Sequence, residues 1–192
     1  MSKRLYLDGY SYTYGSGLDS KHTLGHLFQC QGGYIVTNKS RPGKSNLAIA
    51  IDAYSNFKNY DTIVLGFTYA SRFYLKSHNH DIDFLISRKE IDIVDSANGE
   101  QLEMAYKEFH KHFFTLFESP FDNNLSDMII DSIISHMCAA GKKIVCFSWE
   151  QRTTTNKLLY PFISTKMRLS DGHLNKDGTK YLYNMLQREI NE

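Results

Sequence analysis

Thr62-Ile63-Val64-Leu65-Gly66-Phe67 decides the fold. The run has no charge and no alternation of polar with apolar residues, and Thr62, Ile63 and Val64 are β-branched. A strand with one wet face would alternate, so a continuous run of this length reads as a parallel strand covered on both faces. Lys143-Ile144-Val145-Cys146-Phe147-Ser148 has the same character, and Leu5-Tyr6-Leu7 and Tyr34-Ile35-Val36 are shorter strands of the same kind. Between these strands the apolar period lengthens to that of a helix. Leu24, Leu27 and Phe28 keep helical spacing until Gly32-Gly33. Ser45 stands as the N-cap of a helix whose apolar face carries Leu47, Ile49, Ala50, Ala53, Tyr54 and Phe57.

Further along, Leu102, Tyr106, Phe109, Phe113, Leu116 and Phe117 line one side of a helix over 99–118. A second helix over 124–140 ends at Gly141, and Tyr181, Leu182, Met185, Leu186 and Ile190 mark a C-terminal helix. Residues 72–95 break this rhythm. Phe73 to Leu75, Phe84 to Ile86 and Ile91 to Val94 are short strand-like pieces separated by polar turns, which reads as an inserted β-hairpin. Strands alternating with helices predict an α/β fold, a three-layer α/β/α sandwich around a central, mostly parallel sheet, in one domain spanning 1–192. A length of 192 residues with 42% hydrophobic composition suits a single core.

Composition narrows the partners. With 22 basic against 21 acidic residues the formal charge is +1, so no overall field draws the chain to nucleic acid or to an anionic membrane. The apolar run at the N-terminus is too short for a signal sequence and no run approaches a membrane span, so the expectation is a cytoplasmic protein. Cys30, Cys138 and Cys146 lack C-x-x-C spacing and read as reduced thiols packed in apolar surroundings. No cofactor or metal is expected. His78-Asn79-His80-Asp81-Ile82-Asp83 reads as solvated surface, and His110 and His112, two apart on a predicted helix, point in different directions.

In an open parallel sheet the binding crevice lies beyond the carboxyl ends of the strands. The loop after the first strand, Asp8-Gly9-Tyr10-Ser11-Tyr12-Thr13-Tyr14-Gly15, can hold the Ser11 hydroxyl above the sheet edge with neighbouring backbone N–H groups facing an oxyanion. The loop Ser170-Asp171-Gly172-His173-Leu174-Asn175 places a carboxylate beside an imidazole ahead of the last helix, with Asn175 available as its cap.

Together these two loops resemble the SGNH/GDSL hydrolase family, whose first block reads G-D-S-x-x-x-G and whose last block sets Asp and His before a Pro-Asn and a Gly. The resemblance implies an SGNH/flavodoxin-like sandwich and an ester hydrolase, with Ser11 as nucleophile, its amide as an oxyanion donor, His173 as general base and Asp171 as the carboxylate orienting it. It also implies that Gly43, in Pro42-Gly43-Lys44-Ser45-Asn46, is a second oxyanion donor. The third block, Gly66-Phe67-Thr68-Tyr69-Ala70-Ser71-Arg72, lacks the family's asparagine, which leaves the side-chain donor to Thr68, Ser71 or Arg72, or to Asn46. Tyr10 replaces the acidic residue before the serine. Asp171 precedes His173 by two residues where three is commoner, which keeps Asp177 open as the other carboxylate. The expected substrate is a small-molecule or carbohydrate ester, for instance an O-acetyl or short acyl group. Transfer of that acyl group to another alcohol would use the same acyl-Ser11 intermediate.

Two other classes compete. Asn38-Lys39-Ser40-Arg41-Pro42-Gly43-Lys44-Ser45 ends like a phosphate-binding loop, yet Asn38 replaces its first glycine and Pro42 removes an amide donor. A catalytically silent binding or assembly protein is the second alternative. Tyr6, Tyr10, Tyr12, Tyr14, Tyr34, Tyr69 and Tyr74 gather near the predicted site edge, where they could stack on a sugar or a partner.

Overall fold

The computed structural model describes residues 2–68, 72–76, 81–86, 91–93, 123–150 and 156–192, with side chains described in all but 72–76, 81–86, 91–93 and 123–125. The runs read as buried strands pair in parallel: β1 (Arg4–Gly9) lies between β2 (Ile35–Asn38) and β3 (Thr62–Phe67). A separate antiparallel sheet holds β4 (Arg72–Lys76), β5 (Asp81–Ile86) and β6 (Ile91–Ile93). The main sheet continues from β3 to β7 (Lys143–Ser148) and β8 (Leu158–Leu159), giving the parallel order β2-β1-β3-β7-β8.

Side-chain alternation along the buried strands sorts the helices into two layers. On one face Leu5, Leu7, Val64, Val145 and Phe147 meet Leu24, Leu27 and Phe28 of α2 (Leu24–Cys30), numbered after the single turn α1 (Ser11–Tyr14). Leu182, Tyr183 and Leu186 of the C-terminal helix, Lys176–Asn191, complete that layer. On the other face Tyr6, Ile63, Leu65, Phe67 and Cys146 meet Ile49, Ala50 and Ala53 of α3 (Asn46–Asn56) and Ile130, Ile134 and Met137 of α4 (Asn123–Ala139). The C-terminal helix is α5. The three-layer α/β/α sandwich around a parallel sheet is therefore as the sequence predicts. The chain moves outward from β1 to β2 on one side and returns to β3 on the other, so the order reverses between β1 and β3. Their carboxyl ends define the crevice.

Both predicted caps form. Ser45 Oγ accepts from Ala48 N, and Asn175 Oδ1 accepts from Asp177 N and Gly178 N, each at 3.0 Å. Several expectations change. The loop after β1 contains the helical turn α1, and a 3-10 turn, Ser20–His22, follows it. The three strand-like pieces of 72–95 do form strands, β4, β5 and β6, but as a sheet of their own, and β8, too short to leave a pattern, extends the main sheet. Cys146 is buried, but Cys30 and Cys138 are exposed, because each lies on the outer side of a helix whose inner side already meets the sheet. The helix read over 99–118, with His110 and His112, lies outside the described residues, as do His78 and His80. No helix among the described residues is long and apolar enough to cross a membrane.

Candidate active site

Ser11 opens α1 directly after β1, with Tyr10 as its extended N-cap residue. Tyr14 N donates to Tyr10 O and Gly15 N to Ser11 O, and Gly15 ends the turn at φ 90°. A helix this short gives the Ser11 and Tyr12 amides, at the sheet edge, no carbonyl within it to bond. Two glycines let α1 approach so closely. Gly9 of β1 and Gly66 of β3 are partners in register, and a Cβ on either would run into the hydroxyl of Thr13, which is fully buried between them.

His173 reaches the same end of the sheet from the loop before α5. Gly172, at φ 87°, turns that loop, Gly172 N donates to Leu169 O and Leu169 N to His173 O. His173 Nδ1 lies 3.0 Å from Asp171 Oδ2, and the His173 backbone N–H donates to Asp171 Oδ1 at 3.0 Å. The imidazole contact and this amide hold the Asp171 carboxyl below its ordinary range. The nearby carboxylate is Asp171; Asp177 sits in the first turn of α5.

Tyr12, next to Ser11, fastens the two loops together. Its ring meets that of His173 edge-on at 5.4 Å and that of Trp149 at 5.1 Å. Its hydroxyl donates to Gly172 O at 3.1 Å, and Arg168 Nη1 donates both to that hydroxyl at 3.0 Å and to Gly172 O at 2.9 Å. The Arg168 guanidinium also lies over the Tyr12 and Trp149 rings. Sequence reasoning missed Arg168 and Trp149, since neither belongs to a local motif.

The loop carrying Gly43 is held against β1. Lys39 N donates to Leu7 O and Arg41 N to Gly9 O, after which Gly43 turns the chain at φ 78°. Lys44 is buried, its Nζ 2.9 and 2.7 Å from the two oxygens of Asp8 and 2.6 Å from Asp52 Oδ2. A lysine enclosed by two carboxylates is not presented to a phosphate, which removes the phosphate-loop reading. Asp8 also accepts from the Tyr6 hydroxyl and from Gly9 N. Burial pushes the Asp8 carboxyl up to about 6, against the opposing pull of Lys44, and raises the Tyr6 phenol as well.

At the third block, Asn46 Oδ1 accepts from Thr68 N at 2.7 Å and Asn46 Nδ2 donates to Thr68 O at 3.0 Å. Asn46 thus clips the end of β3 to the start of α3. The buried Thr68 hydroxyl has no hydrogen-bond partner among the described residues. Ser71 and the Arg72 side chain lie outside what is described. Of the grouped tyrosines, Tyr6, Tyr10 and Tyr34 are buried and Tyr14 is exposed, so packing accounts for three of them.

No protein-family model and no curated protein matches the sequence. Solved structures match the fold. The crystal structure of TesA is 15% identical, the alignment covers 98% of this chain and 98% of that one, and the TM-score is 0.55. A protein from Desulfitobacterium hafniense DCB-2, assigned to the lipolytic G-D-S-L family, is 13% identical over 98% of this chain and 99% of that one, with a TM-score of 0.41.

Proposed function

We propose that this chain, which has the SGNH/GDSL hydrolase fold, is a serine-dependent hydrolase of carboxylic esters. The supporting observation is the union of the Ser11 turn with the Asp171–His173 loop through the Tyr12 hydroxyl and ring. In this reading His173 Nε2 takes the Ser11 proton as Oγ attacks the ester carbonyl carbon. The Ser11 and Gly43 amides, with the Thr68 hydroxyl, receive the oxyanion, and Asp171 balances the imidazolium through Nδ1. Collapse returns the proton to the leaving alkoxide and leaves acyl-Ser11. A water then attacks, its proton passing to His173, and the acid is released as Ser11 is reprotonated. Gly43 serves as an amide donor because its positive φ, unfavourable for other residues, lets the turn present its backbone.

A short acyl ester, such as an O-acetyl group on a carbohydrate, is the substrate class proposed. Ser11→Ala is expected to abolish hydrolysis of p-nitrophenyl acetate and labelling by a fluorophosphonate while leaving the circular dichroism spectrum unchanged. Full activity in that variant would sink the proposal. A silent binding module on the same fold is the second reading, favoured by Asn46, whose amide is occupied at both ends by the Thr68 backbone. Folded wild-type protein that never labels at Ser11 would select it.

A further inference from the structure

We propose that Lys44 and Asp8 are positioning residues for the oxyanion-binding groups: their buried ion pair locks the loop carrying Gly43 onto the end of the strand from which Ser11 emerges. The inference rests on the serine-hydrolase reading and deepens it.

Lys44 directly follows Gly43, and Asp8 precedes the Gly9-Tyr10-Ser11 step. The side chains of Lys44 and Asp8 are 1% and 0% exposed, so the contact is dry. Nζ sits between both carboxylate oxygens, at 2.9 and 2.7 Å, which fixes its direction as well as its distance. The other groups around the pair are the Tyr6 hydroxyl and Gly9 N, both donating to Asp8, the Lys39 carbonyl at 3.5 Å from Nζ, and Asp52 on α3, whose side chain is 45% exposed. The backbone bonds from Lys39 and Arg41 tie the first half of the loop to β1. Beyond Arg41 the turn is closed by a long 3.4 Å bond from Lys44 N to Arg41 O. The Lys44 side chain therefore supplies a directional link between the Gly43 turn and β1.

Stability alone gives little reason for such a pair, because well-packed neutral groups in place of a buried ion pair are often as stable or more so. What apolar packing cannot supply is orientation. An oxyanion donor acts only when its N–H is aimed correctly, and a displacement of about 1 Å can lower a rate by about a hundredfold.

The test separates positioning from stability. In the double variant Asp8→Asn with Lys44→Met, the asparagine Oδ1 can still accept from Gly9 N and its Nδ2 can donate to the Tyr6 oxygen. The methionine fills the space of the lysine stem, and half-exposed Asp52 is solvated. The expected result is a melting temperature within a few degrees of wild type, kcat for p-nitrophenyl acetate lower by about ten- to a hundredfold, and KM within about twofold. Wild-type kcat in the folded double variant overturns the inference. Should that variant not fold, Asp8→Glu keeps the charges but moves the carboxylate by one methylene. A fall in kcat of about tenfold at constant KM then supports positioning, and an unchanged kcat overturns it. Failure of the underlying reading looks different: wild-type protein that neither turns over the ester nor labels at Ser11 overturns the hydrolase reading and this inference together.

Discussion

At the scale of the residue, the pair Asp171–His173 combines two contacts on one carboxylate. One oxygen lies 3.0 Å from Nδ1 without hydrogen-bond alignment and the other accepts the histidine's own backbone N–H, so the loop sets the carboxylate beside the imidazole. Spacing of two residues suffices because Gly172 takes a positive φ between them. The Asp171 side chain is 57% exposed, however, and water shares its charge. Asp171→Asn is therefore expected to lower kcat by roughly ten- to a hundredfold, less than the roughly ten-thousandfold loss of a buried triad carboxylate, in steady-state assays with p-nitrophenyl acetate. Its depressed carboxyl makes the ionised form the favourable one in the folded chain, so this small contribution is present near neutral pH and disappears as pH falls through the lowered value.

At the scale of the element, α1 depends on glycines beneath it and an arginine beside it. Gly66→Ala would place a methyl group against the Thr13 hydroxyl and the Phe147 ring, so either the turn lifts or the strands part. The expected cost is about 1–3 kcal/mol in urea unfolding, with a larger proportional loss of activity because Ser11 rides on the lifted turn. Adding Thr13→Gly should recover part of both. Arg168 joins α1 to the histidine loop by bonding two acceptors with one nitrogen while its guanidinium carbon lies 5.8 and 6.0 Å from the centroids of two rings. Arg168→Lys keeps the charge and loses the guanidinium's fixed donor geometry, and should reduce kcat several-fold and change the near-ultraviolet circular dichroism of the Tyr12 and Trp149 pair.

At the scale of the whole molecule, the parallel sheet carries an ionised network through an otherwise apolar layer, beside Tyr6 and α3. With the Asp8 carboxyl raised from 3.8 to about 6, the folded chain binds more protons than the unfolded chain between those values. Stability from this group is therefore present below the unfolded value and is lost as pH rises towards about 6, opposite in sign to Asp171. Asp8→Asn lacks that titration. The stability of wild type relative to Asp8→Asn should accordingly decline from pH 4 to pH 7, measured by urea midpoints across that range; a difference that grows with pH would contradict the assignment.

Four strands of the main sheet, the four longer helices among the described residues, the two N-caps and the order of Ser11 before His173 were legible in the amino-acid sequence, because periodicity, capping and turn chemistry act over a few neighbouring residues. Lys44 was not. Locally it ends a run that resembles a phosphate loop, and only the folded chain brings it to Asp8, 36 residues away. The same holds for Arg168, which meets Tyr12 across 156 residues, and for β8, whose two residues become a strand only against β7. Local pattern thus determined the layers and the candidate nucleophile and base. The tertiary structure decided which charges are buried and what each one holds, since the partner of a charge is set by the surface that folding brings beside it.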